Sequence, residues 1–207
     1  MEENSTNIEG TTNTENSAKE NKDENIQNNQ ISNESEENNM YSTGKHHAEI
    51  VVKNYGTIAL ELDSDVAPIT VENFANLVNE GFYNGLTFHR IISGFMIQGG
   101  DPLGNGTGGS SKTIKGEFAS NGVKNSISHV RGTISMARSS MPNSASSQFF
   151  IVHQDSTFLD GKYAAFGTVT SGMEVVDKIC ADTAVEDDNG TVAKNNQPVI
   201  EKITIID

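Results

Sequence analysis

Several residue types that mark common protein classes are scarce in this 207-residue chain. Cys180 is its one cysteine, so no intrachain disulfide can form, and tryptophan is absent. No apolar run approaches the length of a membrane span, and Met1-Glu2-Glu3 lacks the basic and then apolar start of a secretory signal. We therefore expect no membrane span and a cytoplasmic location.

Basic residues are also scarce, because 14 lysines and arginines face 28 aspartates and glutamates. The net charge of −14 leaves no basic patch that could release counterions from phosphates, so we expect no nucleic-acid partner. The histidines show no metal-ligand spacing, so we expect no metal site. They are His46, His47, His89, His129 and His153.

Residues 1–44 differ in composition from the rest of the chain. They are rich in Asn, Glu, Ser and Thr, and ten carboxylates against two lysines give them about −8 of the total charge of −14. They cannot bury enough apolar surface to offset the conformational entropy of folding. We predict a disordered acidic tail over 1–44 that acts as a solvated spacer, and one folded domain over 45–207. A partner-binding tail is an alternative, as is a surface tether if a leader preceded Met1.

The rest of the chain has the pattern of short strands with two helices. Pro68 suits a helix start, and apolar residues repeat at helical spacing from there until Gly81. The number of short strands predicts an antiparallel barrel or sandwich, and the pattern alone does not tell the two apart. The strands include 48–53, 57–62 and 199–206, and the second helix lies within 168–181.

A glycine-rich loop over 101–120 contains two near matches to nucleotide-binding motifs. Residues 104–109 fit G-x-G-x-x-G, but no apolar helix follows them and no βαβ unit surrounds them. Residues 106–113 approach a phosphate loop, yet Ser111 stands where the second glycine is required. We reject both motifs, expect no cofactor, and interpret the glycines as backbone freedom beside a groove.

The most informative stretch is 86–101, where Arg90 and Gln98 are embedded among apolar residues. It has the pattern of two short strands separated by a Ser-Gly turn. Strand alternation would place Phe88, Arg90 and Ile92 on one face, so that the arginine projects from a sheet. A buried charge needs a partner or a function. From this stretch alone, a structural ion pair and a functional arginine are equally good interpretations.

Three further segments change that balance. Residues 132–138, 146–151 and 158–167 read GTISMAR, SSQFFI and FLDGKYAAFG, and the stretch above contains FHRIISGFMIQGGD. In this order and spacing, the four segments resemble the signature segments of the cyclophilin family of peptidyl-prolyl cis-trans isomerases. The resemblance covers roughly residues 48–207. It implies a mainly β fold, a closed eight-stranded antiparallel barrel with a helix at each end, and an enzyme that assists protein folding by accelerating rotation about X-Pro bonds.

The resemblance also implies roles for individual residues. Arg90 matches the catalytic arginine, a permanently charged donor that would stabilise the twisted amide. Phe95, Met96, Phe150 and Leu159 match the proline pocket. The other residues implied to contact the substrate are Gln98, which would orient the arginine or a substrate carbonyl, Ala137 and Arg138 at the peptide-pairing rim, Gln148 in a polar wall, Gly106 and Thr107 at a neighbouring side-chain pocket, and Phe158 and Tyr163.

Three departures from the family pattern bear on these roles. Phe158 stands where many members have tryptophan; an indole N–H donor is thereby lost, so we expect cyclosporin to bind weakly. Tyr163 stands where histidine is frequent and keeps an aromatic wall with a different polar tip. Residues 137–142 are one residue longer than in many eukaryotic members, which leaves the equivalence of Arg138 open.

We expect the partners to be proline-containing peptides and unfolded or partly folded proteins, bound by a monomer. Two functions of other classes stay open at this point. A non-catalytic proline-peptide binding module would bind such peptides without accelerating their isomerisation. A general chaperone would need an exposed apolar patch, of which the sequence gives no view.

Overall fold

The structure, a computed structural model, describes residues 40–207. Residues 1–39 of the disordered tail expected over 1–44 lie outside the described residues. Tyr41, on the tail side of the expected boundary, is buried. Its carbonyl accepts a hydrogen bond from Ser64 Oγ at 2.6 Å, and its hydroxyl accepts one from Asn79 Nδ2 at 3.0 Å. The described unit therefore already includes Tyr41.

Eight antiparallel strands form one curled sheet with the order β3-β4-β6-β5-β7-β2-β1-β8. The mainly β fold with two helices, expected from the resemblance, is confirmed. Over residues 40–207, no helix is long and apolar enough to cross a bilayer. The elements are β1 (Lys45–Val52), β2 (Gly56–Asp63), α1 (Pro68–Asn79), β3 (Thr87–Ile92), β4 (Met96–Asp101), β5 (Thr133–Met136), β6 (Phe149–Val152), β7 (Ala165–Ser171), α2 (Met173–Asp182) and β8 (Ile200–Ile205).

The two end strands, β3 and β8, meet through a few backbone hydrogen bonds and not through a continuous ladder. Gly85 N donates to Ile200 O and Ile200 N donates to Leu86 O, both at 2.8 Å, and Phe88 N donates to Pro198 O at 2.9 Å. The described sheet is therefore a curled half-barrel, and the full closure that the resemblance implies is not reached by strand pairing.

Aromatic side chains fill the interior of the curled sheet. The ring centroid of Phe74, on α1, lies 5.2 Å from that of Tyr83, 5.6 Å from that of Phe149 and 5.3 Å from that of Phe166. All four side chains are fully buried. Such aromatic pairs add about 0.5–1.5 kcal/mol each to the stabilisation from burial. We call this apolar interior of the curled sheet the barrel core. It supports the strands that carry the candidate site.

Helix α1 begins at Pro68, as its spacing predicts, and a distant loop caps its first turn. The carboxylate of Glu117 accepts hydrogen bonds from Ile69 N at 3.1 Å, Thr70 N at 2.8 Å and Thr70 Oγ1 at 2.7 Å. A negative charge at this end also complements the helix dipole. Because the capping residue lies 47 positions from Thr70, the local sequence could not predict the cap.

Candidate active site

An apolar cleft of about 310 Å³ lies on the outer face of the sheet. Its floor belongs to a small buried cluster of Met96, Phe150, Val152 and Leu159, which is separate from the barrel core. Strand alternation explains the separation, because Phe149 points inward and Phe150 points outward. Every residue that lines the cleft is among those expected from the sequence. They are Arg90, Phe95, Met96, Gln98, Ala137, Arg138, Phe150, Phe158, Leu159 and Tyr163.

A β-bulge brings Arg90 to this outer face. Phe88 pairs with Gly99 and Arg90 pairs with Gln98, so His89 is an extra residue on β3. Such a bulge reverses the alternation of side chains that follow it. Phe88 accordingly lies fully buried in the barrel core, whereas Arg90 lines the cleft. The expectation that Phe88 and Arg90 share a face is therefore wrong, because the register shifts between them.

The Arg90 guanidinium is held by neutral acceptors. Nε donates to Asn189 O at 2.8 Å, Nη2 donates to Asn189 Oδ1 at 3.1 Å, and Nη1 donates to Gln98 Oε1 at 3.2 Å. Among the described residues, no carboxylate lies within ion-pair distance of Arg90. The structural ion pair considered above therefore does not account for this side chain.

The environment of Arg90 lowers the pKa of its guanidinium but leaves it charged. Burial lowers the pKa of the guanidinium, and Tyr163 and Asp187 partly oppose this shift. Because the pKa of an arginine guanidinium ordinarily lies far above neutrality, the side chain remains protonated at neutral pH. Arg90 thus presents a positive charge, with no carboxylate partner among residues 40–207, beside the apolar side chains of the cleft.

Asn189 belongs to this site, although the sequence reasoning did not single it out. The chain after Asn189 runs beside β3, where Ile91 N donates to Gly190 O at 2.8 Å and Val192 N donates to His89 O at 3.0 Å. The Asn-Gly dipeptide signals a turn, but nothing local relates that turn to an arginine 99 positions earlier.

A row of side-chain amides connects Arg90 to the glycine-rich loop. Gln98, which accepts from Arg90, donates through Nε2 to Gln148 Oε1 at 2.9 Å. Gln148 Nε2 donates in turn to Gly106 O at 3.1 Å and to Gly108 O at 2.7 Å. Each amide is satisfied at both ends, so the orientation of Gln98 under the guanidinium is fixed.

A second cavity of about 230 Å³ adjoins the cleft. Gly106, Thr107 and Gln148, the remaining residues expected to contact substrate, line this cavity and not the cleft itself. The two cavities share Gln98 and Ala137, together with Arg138, as walls. A ligand in the cleft could therefore extend a side chain into the second cavity.

Asp101 anchors the loop that forms one side of the second cavity. Its carboxylate accepts backbone N–H bonds from Leu103 at 2.8 Å, Asn105 at 3.1 Å and Gly106 at 2.6 Å. Burial alone would raise the pKa of Asp101, but these backbone bonds outweigh it and hold the pKa below its usual value. Gly108 must be a glycine here, because a Cβ would collide with the Asp101 carboxylate.

Arg138 supports a wall of the cleft. Its guanidinium carbon lies 4.6 Å from the ring centroid of Tyr163 and 5.0 Å from that of Phe118. Its Nε and Nη2 both donate to Lys162 O, at 3.0 and 2.7 Å. The side chain is thus engaged within the protein, which leaves the backbone at this position for any contact with a peptide.

Phe158 lies at the rim of the cleft. Its side chain is 62% exposed, and its ring centroid lies 5.6 Å from that of Phe95. It belongs to the short helical turn Thr157–Leu159, which also carries Leu159. The rim is therefore aromatic, but it offers no polar donor at this position.

Comparison with known proteins gives a consistent result. The family model for cyclophilin type peptidyl-prolyl cis-trans isomerase/CLD matches residues 47–206. A peptidyl-prolyl cis-trans isomerase of Helicobacter pylori is 51% identical over 128 residues, which cover 61% of this chain and 76% of that protein. Peptidyl-prolyl cis-trans isomerase B of Bacillus subtilis is 50% identical over 117 residues, which cover 56% of this chain and 78% of that protein.

A solved structure has the same fold. The cyclophilin type peptidyl-prolyl cis-trans isomerase of Cryptosporidium parvum, crystallised in the presence of the dipeptide Ala-Pro, superposes with a TM-score of 0.69 at 32% identity. The match covers 78% of this chain and 99% of that chain.

Proposed function

Because this chain belongs to the cyclophilin-type peptidyl-prolyl cis-trans isomerases and catalyses rotation about X-Pro peptide bonds, we propose that Arg90 is its catalytic residue and that the cleft holds the proline ring. One observation carries this assignment: a half-buried guanidinium that has no carboxylate partner within residues 40–207 borders an apolar cleft of about 310 Å³. The four expected pocket residues, Phe95, Met96, Phe150 and Leu159, line that cleft.

The chemistry requires no nucleophile and no proton transfer. Rotation about an X-Pro bond is slow because it breaks amide resonance, against a barrier of about 18–20 kcal/mol. As the bond twists, the proline nitrogen regains a lone pair that can accept a hydrogen bond from Arg90. An N–H aimed at that lone pair favours the twisted amide over both planar forms, which is the differential binding that catalysis needs.

The contribution of Arg90 can be estimated from preorganised donors elsewhere. One such donor in a dry site contributes about 2.7–4 kcal/mol, or roughly 10²–10³ in rate. Gln98 and Asn189 hold the guanidinium in place before the substrate arrives, so little reorganisation is needed in the twisted state. The apolar residues bind the proline ring in every state and supply affinity.

The substrates are proline-containing peptides and, by extension, unfolded or partly folded proteins with exposed prolines. The Ala-Pro dipeptide named with the Cryptosporidium structure supports this class. Gly106, Thr107 and Gln148 would receive the side chain of a neighbouring substrate residue, and Ala137 with the backbone of Arg138 would pair with the peptide. Because the side chain of Phe158 offers no N–H, we further propose that cyclosporin binds weakly.

Other expectations also stay proposals. We propose that the enzyme acts as a monomer in the cytoplasm and that the part of the expected tail that precedes Tyr41 serves as a solvated spacer. We also propose that the sheet behaves as a closed barrel. The backbone hydrogen bonds that Gly85, Phe88 and Ile200 donate across the junction of β3 and β8 support this closure.

The test of catalysis is an Arg90 series on the full chain. We expect Arg90→Ala to lower the kcat for isomerisation of an Ala-Pro peptide about a hundredfold, the value of one preorganised donor. Arg90→Lys should recover part of that loss, because it keeps the charge but not the planar fork.

Arg131→Ala is the matched control. It removes an exposed arginine that is ion-paired to Asp177 at 2.8 Å, and it should leave kcat unchanged. Wild-type activity in a folded Arg90→Ala variant would remove Arg90 from the mechanism.

A further inference from the structure

A buried histidine that the catalytic proposal does not use lies behind the floor of the cleft. His129 is 1% exposed, and a side chain lies within hydrogen-bond distance of each ring nitrogen. Nδ1 is 2.8 Å from Asp160 Oδ1, and Nε2 is 3.0 Å from Ser135 Oγ. Because a carboxylate can only accept, Nδ1 carries the proton and donates to Asp160, and Nε2 accepts from the Ser135 hydroxyl.

The ring is neutral in this arrangement. Burial lowers the pKa of His129, and the nearby Asp160 carboxylate partly opposes that shift. A neutral ring has one donor and one acceptor, and Asp160 and Ser135 use one each. The hydrogen-bonding capacity of this buried side chain is therefore filled, which fixes the plane of its ring.

His129 contacts two parts of the cleft, the ring of Phe150 and the turn that carries Leu159. Its ring lies nearly parallel to that of Phe150, with centroids 6.0 Å apart and planes at 17°. Its carbonyl accepts from Ser156 N at 2.7 Å, and Ser156 O accepts from Leu159 N at 3.0 Å. Its backbone N–H donates at 2.7 Å to Asp160, which follows Leu159 in the chain. One residue thus joins the floor of the cleft to the turn that carries Leu159.

We propose that His129 is a positioning residue for the proline pocket, which holds the ring of Phe150 and the turn of Leu159 at the spacing that a proline ring fills. The inference rests on the proposed function of that pocket. Phe150 and Leu159 contact the ring in its cis, trans and twisted states alike. Their displacement therefore weakens binding of all three states, which raises KM and leaves kcat nearly unchanged.

Two substitutions separate the contacts of the ring. H129F keeps an aromatic ring against Phe150 and removes both nitrogen contacts, whereas H129N keeps a side-chain donor for Asp160 and removes the ring. We expect H129F to raise KM for an Ala-Pro peptide by about threefold to tenfold, the effect of one or two lost hydrogen bonds, with kcat within about twofold. H129N should raise KM by less than H129F does, because it keeps a side-chain donor for Asp160.

His46 provides the matched control. It also has a carboxylate at Nδ1, with Asp207 Oδ2 at 3.0 Å, and an acceptor at Nε2, with Thr43 O at 2.9 Å. It lies on β1, outside both cavities. H46F should therefore leave KM and kcat unchanged. An equal KM in H129F and H46F, or a fall in kcat without a rise in KM in H129F, would overturn the positioning role.

A spectroscopic measurement on the unmodified protein does not depend on whether the variants fold. Nitrogen-15 shifts of the His129 ring at neutral pH should show a protonated Nδ1 and a bare Nε2. The opposite tautomer, or a doubly protonated ring, would contradict the arrangement. Failure of the proposed catalytic function would appear separately, as an undiminished kcat in Arg90→Ala whatever His129 does.

Discussion

The sheet carries two apolar clusters on its opposite faces, and adjacent residues of β6 belong to different ones. Phe149 lies in the barrel core, where the rings of Phe74 on α1 and Phe88 on β3 pack against it. Phe150 lies in the cluster of the cleft, where it contacts His129 and Tyr163 and borders open space. One residue type in one strand thus has two functions. The Phe149 ring is completely buried within the folded protein, whereas the Phe150 ring keeps some surface that a ligand in the cleft can contact.

The largest expected effect follows from truncating the inner ring. Phe149→Ala should lower the free energy of unfolding by about 3–5 kcal/mol, because it leaves a cavity that the packed neighbours cannot fill. Urea denaturation followed by circular dichroism measures this loss. Activity per folded molecule should change far less than stability does. A loss below about 1 kcal/mol would mean that the core can collapse around the gap.

Truncating the outer ring should give the opposite balance. Phe150→Ala should lower kcat/KM by about tenfold or more, because the proline ring loses the floor of its pocket. Its cost in stability should be smaller than that of Phe149→Ala, since one side of Phe150 already borders the cleft. The same denaturation and isomerisation measurements on both variants test this order. A larger loss of stability in Phe150→Ala would contradict the division between the two clusters.

The loop at Gly106 and the barrel core should respond differently to acid, because the loop is held by the carboxylate of Asp101. The folded-state pKa of Asp101 lies below its usual value of 3.8, so its contribution to stability is present above that value and is lost as pH falls through the folded pKa. The loop at Gly106 should therefore loosen in acid before the barrel core does. Amide exchange of Gly106 and Phe149, measured from about pH 5 to pH 2, follows both regions.

Asp101→Asn is the control for that measurement. It replaces one accepting oxygen with an amide that cannot accept, so exchange at Gly106 should already be fast at neutral pH. Simultaneous opening of the loop and the core in acid would show that Asp101 is not the source of the difference.

The smallest effect concerns the rim. Phe158→Trp restores an indole N–H at an exposed position and should tighten cyclosporin binding by a few-fold, about the value of one hydrogen bond. Titration of the variant with cyclosporin measures the gain. Peptide isomerisation, assayed in parallel, should stay close to that of the unchanged chain. An unaltered affinity would mean that the missing donor does not limit inhibitor binding.

Features that depend on residues close together in the sequence were predicted correctly. The start of α1 at Pro68 follows from the backbone preference of proline, and the strands predicted over 48–53 and 57–62 overlap β1 and β2. The residues of the cleft were predicted because four separated segments resemble one family. Their geometry, however, could not be read from alternation alone.

The parts that the sequence did not predict depend on partners far along the chain. The bulge at His89 moves Arg90 to the outer face, and regular alternation gives no sign of it. Asn189 reaches Arg90 only because a late loop runs beside β3. Glu117 caps α1 from another loop. Each of these contacts is formed by tertiary packing, which a local pattern does not contain.

The neutral acceptors around Arg90 have a consequence for the conditions under which the enzyme works. Asn189 and Gln98 have no proton to gain or lose near neutrality, so the groups that hold the guanidinium by hydrogen bonds do not change their charge when acidity changes. An arginine held by a carboxylate would lose its counter-charge in acid. Arg90 does not depend on such a counter-charge. The kcat of the enzyme should therefore stay level across the mildly acidic and mildly alkaline range.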